Sequence, residues 1–343
     1  MLKKSRDISF IIPMYNVELF IEHCVKSILN VKWKNHSFEI IIVDDESPDN
    51  SLQIANELAR NYATIKVITQ RNRGLGGARN TGILNSSGNY LMFLDSDDYL
   101  ITDGIIQILE TAIASELDVL EFGAMRVDEL RKDIGRIFQF ESEHPLNGLE
   151  YLGRNKFANS ACNKIYRREF LADNKVLFLE GVYIEDAPFN VEVFVKARKV
   201  GAVPNVIVAF LENQKSITRS KRSGRLLHKF ISDSILVTGV IDSFTSVAVY
   251  KDAEATILSK VAMFTAGIIL MIVKSDQPIK VKLEYIKDLE GRGLYPIKHH
   301  SGILIRDMFI HVVNVWPFLK IMLWITSLKT RLLSIKSANV NVC

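Results

Sequence analysis

The chain has 343 residues, room for one large domain or two ordinary ones. Hydrophobic residues at 48% and charged residues at 24% give a globular balance, and a net charge of +4 is too small to argue for nucleic acid. Three cysteines (Cys24, Cys162, Cys343) without CxxC or metal-type spacing suit a reducing cytoplasm, and MLKKSRD leading into an apolar run interrupted by Pro13 does not read as a signal peptide.

In chain order, Ile8–Tyr15 reads as a short strand, and Val17–Asn30 carries Leu19, Phe20, Cys24, Ile28 and Leu29 at helical spacing. Phe38–Ser47 is a continuous apolar strand that ends in acids. Ser51–Tyr62 reads as a helix, Ile65–Gln70 as a third strand and Gly76–Ser86 as a helix after a glycine turn. The fourth strand, NYLMFLDSDD, ends in Asp95, Ser96, Asp97 and Asp98. Such alternation predicts an α/β fold with a mostly parallel sheet covered on both faces. Ligands bind such sheets beyond the carboxyl ends of the strands. Tyr15 and Asn16, Asp44 and Asp45, and Asp95 to Asp98 are therefore expected to line one crevice.

Further on, Thr102 is expected to cap a helix, and Asp118–Glu129 reads as a strand. Ala158–Asn174 reads as a strand or loop running into a helix. Another helix starts near Glu185, and Val200–Asn213 is strand-rich. The basic, glycine-containing Lys221–Arg225 marks a boundary, which gives a domain over 1–220 and a mainly helical region over 221–343.

Four stretches could carry chemistry, and each has a plainer reading. Asp44 and Asp45 either accept hydrogen bonds from a base or ribose, or belong to an ordinary solvated turn. Gln70–Gly82 combines Arg71, Arg73 and Arg79 with Gly74, Gly76 and Gly77, which suits a phosphate-proximal loop or a turn with surface arginines. It follows the third strand rather than the first, so it is not the dinucleotide fingerprint. Asp95 and Asp97, at i and i+2, suit a hard cation such as Mg²⁺ or Mn²⁺ beside phosphate, or form an acidic turn. Glu185 and Asp186, at a predicted helix start, supply a general base or simply complement the helix dipole.

Taken together and in this order, these segments resemble the family 2 inverting glycosyltransferases of the GT-A fold, including those of bacterial capsule, exopolysaccharide and O-antigen synthesis. The carriers are IIPMYNVELFIEHCVKSIL, EIIIVDDESPDNS, NRGLGGARNTGI, SGNYLMFLDSDDYL, NKIYRREFL and GVYIEDAPF, within Ile8 to Ser220; SITRS (Ser216–Ser220) is similar to the segment that closes such domains. The resemblance implies that Pro13 and Tyr15 pack on the nucleotide base and that Asp45, with Asp44 beside it, binds the uracil edge. It places Arg79, and more weakly Arg73, near the donor. Asp97 becomes the metal ligand, with Asp95 and Ser96 facing the ribose or sugar and Asp95 joining the Mn²⁺ or Mg²⁺ site. Asp186 becomes the base and Glu185 its support. Glu46 stands where the family usually has a small residue, often glycine.

The implied reaction moves a sugar from a nucleotide-diphosphate donor, a UDP-sugar, to a saccharide or polyprenyl-linked acceptor in cell-surface polysaccharide synthesis. A catalytically silent nucleotide-sugar binding partner of an assembly complex is the competing reading. A phosphotransferase would place its DxD motif after the first strand instead. In the tail, Val261–Val273 is 13 uncharged residues, short for a bilayer span and read as a core helix. Met308–Leu328 mixes Trp316, Phe318 and Trp324 with basic neighbours. It suits either an interfacial helix at the cytoplasmic membrane face or one packed back on the protein.

Overall fold

The computed structural model describes residues 6–101, 103–137, 141–154, 159–212 and 224–340. Thr102, the SITRS segment and part of the boundary at Lys221–Arg225 lie outside them. The chain divides into two compact units, residues 1–220 and residues 221–343.

The first unit is built on one sheet. Strands β1 (Arg6–Met14), β2 (Phe38–Asp44), β3 (Ile65–Thr69) and β4 (Gly88–Phe93) pair in parallel in the order β3-β2-β1-β4. Between them run α1 (Ile21–Leu29), α2 (Ser51–Asn61) and α3 (Gly74–Asn85). Side-chain alternation decides which helix covers which face. Phe10, Ile12, Ile40 and Ile42 point into one core with Ile21, Val25 and Ile28 of α1. On the other face, Ile41 and Val43 meet Ala78 of α3. Gly82 allows that contact to be close, because a Cβ there would sit 2.2 Å from Ile11 Cγ2.

Pro13 lies within a strand that is central over most of its length, a place that normally rejects proline. Met14 accepts from the Asp45 amide on the β2 side, so position 13 faces β4. β4 stops pairing at Ile11, so the missing N–H breaks no ladder bond.

Beyond β4 the sheet becomes mixed. It continues through β5 (Tyr99–Leu100), β6 (Val119–Val127), β7 (Asp133–Ile137), β8 (Lys164–Arg167) and β9 (Val200–Leu211). β8 inserts antiparallel between β4 and β6, β9 runs parallel to β6, and β5 and β7 pair antiparallel with β9 and β6. Helices α4 (Gly104–Ala114), α5 (Gly148–Gly153), α6 (Arg168–Asp173) and α7 (Asp186–Lys196) complete the unit. The helix expected from Val17 starts at Ile21, with Val17–Phe20 forming the turn that leads into it.

The second unit is helical over its described residues: α8 (Gly224–Ser243), two short 3-10 turns, α9 (Glu254–Lys274), α10 (Ile279–Gly291), α11 (Leu304–Asn314) and α12 (Trp316–Val340). The apolar run Val261–Val273 lies inside α9, where Ile257, Val261, Ile268 and Ile272 are buried and the helix packs on α8. The helical stretch containing it is longer than the 13-residue run suggested. Lys251–Lys274 is long and apolar enough to cross a membrane, but more than half of its most apolar window is buried within the protein.

Candidate active site

The parallel half of the sheet places three segments at the carboxyl ends of β1, β2 and β4, the last two of them acidic, as the strand rule requires. Tyr15 is half exposed just past β1, and Pro13 is buried beneath it. Asp44 and Asp45 end β2 and are both buried. Asp45 Oδ1 accepts from Gln70 Nε2 at 2.7 Å and from the Arg73 amide at 2.9 Å, which fixes the carboxylate against the loop after β3. Glu46 follows at φ 68°, the left-handed region that glycine enters freely. The departure from glycine therefore keeps the turn at a conformational cost of about 1–2 kcal/mol. Its carboxylate receives the Asn72 amide at 3.2 Å.

Arg79 is the centre of the site. It lies on α3 and is 1% exposed. Nη1 donates to Glu185 Oε1 at 2.6 Å and Asp186 Oδ1 at 2.7 Å, and Nη2 donates to Asp95 Oδ1 at 2.8 Å. One guanidinium thus joins the end of β4 to the first turn of α7. A lysine could not do this, because it lacks the planar fork. The sequence places Arg79 near the donor, and the structure shows its guanidinium buried and bonded to Asp95, Glu185 and Asp186. Arg73 is exposed and pairs with Glu180, Nε to Oε2 at 2.8 Å.

The excess of negative charge matters. When all three carboxylates are ionised, they outnumber Arg79 by two charges. Burial raises the Asp186 and Glu185 pKa values above the ordinary carboxylate range, while Arg79 opposes the rise. Burial also acts to lower the pKa of Arg79, but the charges of Asp186 and Asp95 outweigh it and hold the guanidinium firmly protonated.

Asp186 and Glu185 differ in access. The Asp186 side chain keeps 20% of its surface exposed, against 7% for Glu185. Asp186 Oδ2 also accepts from the Ala161 amide at 3.1 Å, so both of its oxygens are oriented. The chain enters this turn through Ile184 at φ 57°, an outlier for a β-branched residue that costs on the order of 1–3 kcal/mol.

At the end of β4, Asp95 and Asp97 are half-buried, and Ser96 and Asp98 are buried. Asp98 Oδ1 accepts from the Leu211 amide at 2.8 Å, which ties the turn to β9. Asp95 and Asp97 offer oxygen donors only, beside a site with surplus negative charge, and this fits Mn²⁺ or Mg²⁺. No cluster of three or more metal-ligating side chains occurs among the described residues, so phosphate oxygens and water would complete the shell.

Several participants were missed in the sequence. Glu180 receives Arg73 and Asn80 Nδ2. Buried Lys164 sits 3.0 Å from Glu121, and burial lowers its pKa. Cys162 packs beside Arg79, and burial keeps its thiol protonated. A lysine opening the apolar KIY run was the visible hint of an internal ion pair.

Known proteins resemble this chain in sequence and in fold. Residues 9–174 match the family described as Glycosyl transferase family 2. The chain is 35% identical over 218 residues to the uncharacterized glycosyltransferase EpsJ of Bacillus subtilis, covering 62% of each chain. It is 24% identical over 310 residues to the uncharacterized glycosyltransferase YibD of Escherichia coli, covering 86% of this chain and 87% of that one. The poly(ribitol-phosphate) beta-glucosyltransferase of Bacillus spizizenii is 29% identical over 199 residues, 56% of this chain and 30% of that protein. Residues 1–349 of TarS from S. aureus, solved with UDP-GlcNAc, share the fold at TM-score 0.59 and 18% identity, over 84% of this chain and 88% of that one.

Proposed function

Residues 9–174 are a family 2 glycosyl transferase domain, and from that premise we propose that the chain is an inverting glycosyltransferase moving a sugar from a nucleotide-diphosphate donor, a UDP-sugar, to a saccharide or lipid-linked saccharide in cell-surface polysaccharide synthesis. One observation carries the reading: Arg79 gathers Asp186 and Asp95, so a base and the acids of a diphosphate site share one cation. TarS was solved with UDP-GlcNAc, which supports the donor class.

In this reading Asp45 and Asp44 receive the base, with Tyr15 and Pro13 against its face. Asp95 and Ser96 face the ribose or sugar, and Arg73 lies near the donor. Asp97 and Asp95 would hold Mn²⁺ or Mg²⁺, which supplies positive charge at the leaving diphosphate. Asp186 takes the proton of the acceptor hydroxyl through its exposed edge. The acceptor oxygen bonds to the anomeric carbon as the bond from that carbon to the diphosphate oxygen breaks, and the configuration inverts. Arg79 and Ala161 orient Asp186, and Glu185 supports the same cation from below. The location in this reading is cytoplasmic, peripheral at the inner membrane face.

The test is a screen of nucleotide sugars with Mn²⁺ or with chelator, measuring released nucleoside diphosphate. Metal-dependent release from one donor class is expected. Tight donor binding with no release from any donor, with acceptor extract present, would turn the reading to a silent binding partner.

A further inference from the structure

The second unit carries a surface that the reaction does not use. On α11, Leu304, Ile305 and Met308 are 78%, 81% and 64% exposed. On α12, Phe318, Ile321 and Trp324 are 56%, 52% and 56% exposed. Isolated exposed apolar residues are ordinary, but a cluster on each of two consecutive helices marks an interaction surface. These helices are anchored parts of the unit, because their opposite sides bury Ile310, Val313, Leu319 and Leu323. The exposed residues also follow helical spacing: 304, 305 and 308 on one helix, 321, 324 and 325 on the other.

Length and bend say how such a surface meets a bilayer. Leu304–Asn314 and Trp316–Leu328 are bent by 95° to one another. At about 1.5 Å per residue α11 is roughly 17 Å long, short of the ~30 Å hydrocarbon core, while α12 is long enough at roughly 37 Å but has Lys320, Lys329, Arg331 and Lys336 in its sequence. Neither is an apolar span by itself, and a right-angled pair is not one rod. Lying in the interface needs no such length.

Charge selects the lipid. Over residues 303–328 the cations are Arg306 and Lys320, with His311 exposed beside them. The lone acid, Asp307, accepts the Ser301 amide at 2.6 Å. The sequence continues with Lys329, Arg331 and Lys336 and no acid. Trp316 and Trp324 are amphipathic rings of the kind found at headgroup depth.

We propose that α11 and α12 form a bilayer-docking face that seats its exposed apolar side in the acyl-chain boundary of an anionic leaflet. This gives the membrane location proposed above its residues and its lipid chemistry, and it stands whether or not the first unit transfers sugar. The full-length protein is mixed, without donor, with vesicles of phosphatidylcholine alone or with phosphatidylglycerol added. Strong sedimentation with the anionic vesicles is expected, weakened by salt but not abolished. The double variant Ile321→Glu, Trp324→Glu should lose more than about tenfold in partitioning, while its circular dichroism and released nucleoside diphosphate in solution stay as in the parent. In the unaltered protein, brominated anionic lipid should quench the fluorescence of Trp316 and Trp324, whereas Trp33 is buried in the first unit.

Absence of quenching, or equal sedimentation of the double variant, overturns the proposal. So does a vesicle-independent dimer that the same variant dissociates, because the face would then pair with a second copy. Insertion through α9 would show as sedimentation of the double variant that survives alkaline extraction, and that too counts against it.

Discussion

Replacing Arg79 by methionine removes the one cation that three carboxylates share. Glu185 and Asp186 lie 2.6 and 2.7 Å from it and are largely buried, so neither can recover full hydration. Breaking a buried ion pair from one side costs about 3–5 kcal/mol. Asp95 is exposed enough to be partly rehydrated, so most of the cost comes from the other two. For a unit of this size that is a fall of about 6–20 °C in thermal midpoint. The chemistry should shift as well. Arg79 opposes the burial-driven rise of the Asp186 pKa, so its loss raises that value further. The acidic limb of kcat/KM should therefore move to higher pH. Thermal unfolding by circular dichroism and a pH–rate profile measure the two effects. Arg79→Lys keeps a charge without the fork and should fall between, which gives a readout if the methionine variant does not fold. A midpoint within about 2 °C of the parent, together with an unmoved acidic limb, would refute the claim that Arg79 holds the site.

The remaining expectations concern pH, the metal acids and close packing. Activity of the parent should rise as pH passes through the raised Asp186 and Glu185 values, because the base must be ionised; a limb at ordinary carboxylate pH would contradict the burial. Stability takes the opposite sign. The folded state holds these protons more tightly than the unfolded chain, so this contribution is full below the ordinary carboxylate range and is lost as pH rises through the folded values. Asp97→Ala should raise the Mn²⁺ concentration needed for half-maximal turnover. Asp98→Ala should instead cost about 1–3 kcal/mol of stability through the orphaned Leu211 amide, with metal dependence preserved in a metal titration. In Gly76→Ala the new Cβ would sit 2.1 Å from the Leu179 carbonyl oxygen. Backbone cannot yield there as a side chain does, so the Phe178–Gly181 segment leading to Asp186 should shift and turnover should drop while the fold, followed by far-ultraviolet circular dichroism, persists.

The acids at the ends of β2 and β4 were legible because a parallel sheet obeys a simple rule about where ligands go, and continuous apolar runs announce such strands. Asp186 was legible as an acid opening a helix. Arg79 was harder. An arginine in a glycine-rich loop reads as a surface group facing a ligand, and only tertiary structure shows that three distant carboxylates have drawn it inward. The 106 and 107 residues separating it from its α7 partners leave no local trace. The antiparallel insertion of β8 between β4 and β6 was also hidden, since a four-residue strand next to a helix has no pattern long enough to show its direction. Glu46 was visible as an oddity, and its positive φ shows what the usual glycine would have been for.

The central claim is that Asp186, oriented by Arg79 and Ala161, takes the proton from the acceptor. The most direct measurement compares donor affinity by calorimetry with the rate of sugar transfer in Asp186→Asn, at saturating metal. The account predicts donor binding within a few-fold of the parent and transfer reduced by about 10²–10⁴. Transfer at the parent's rate would contradict it.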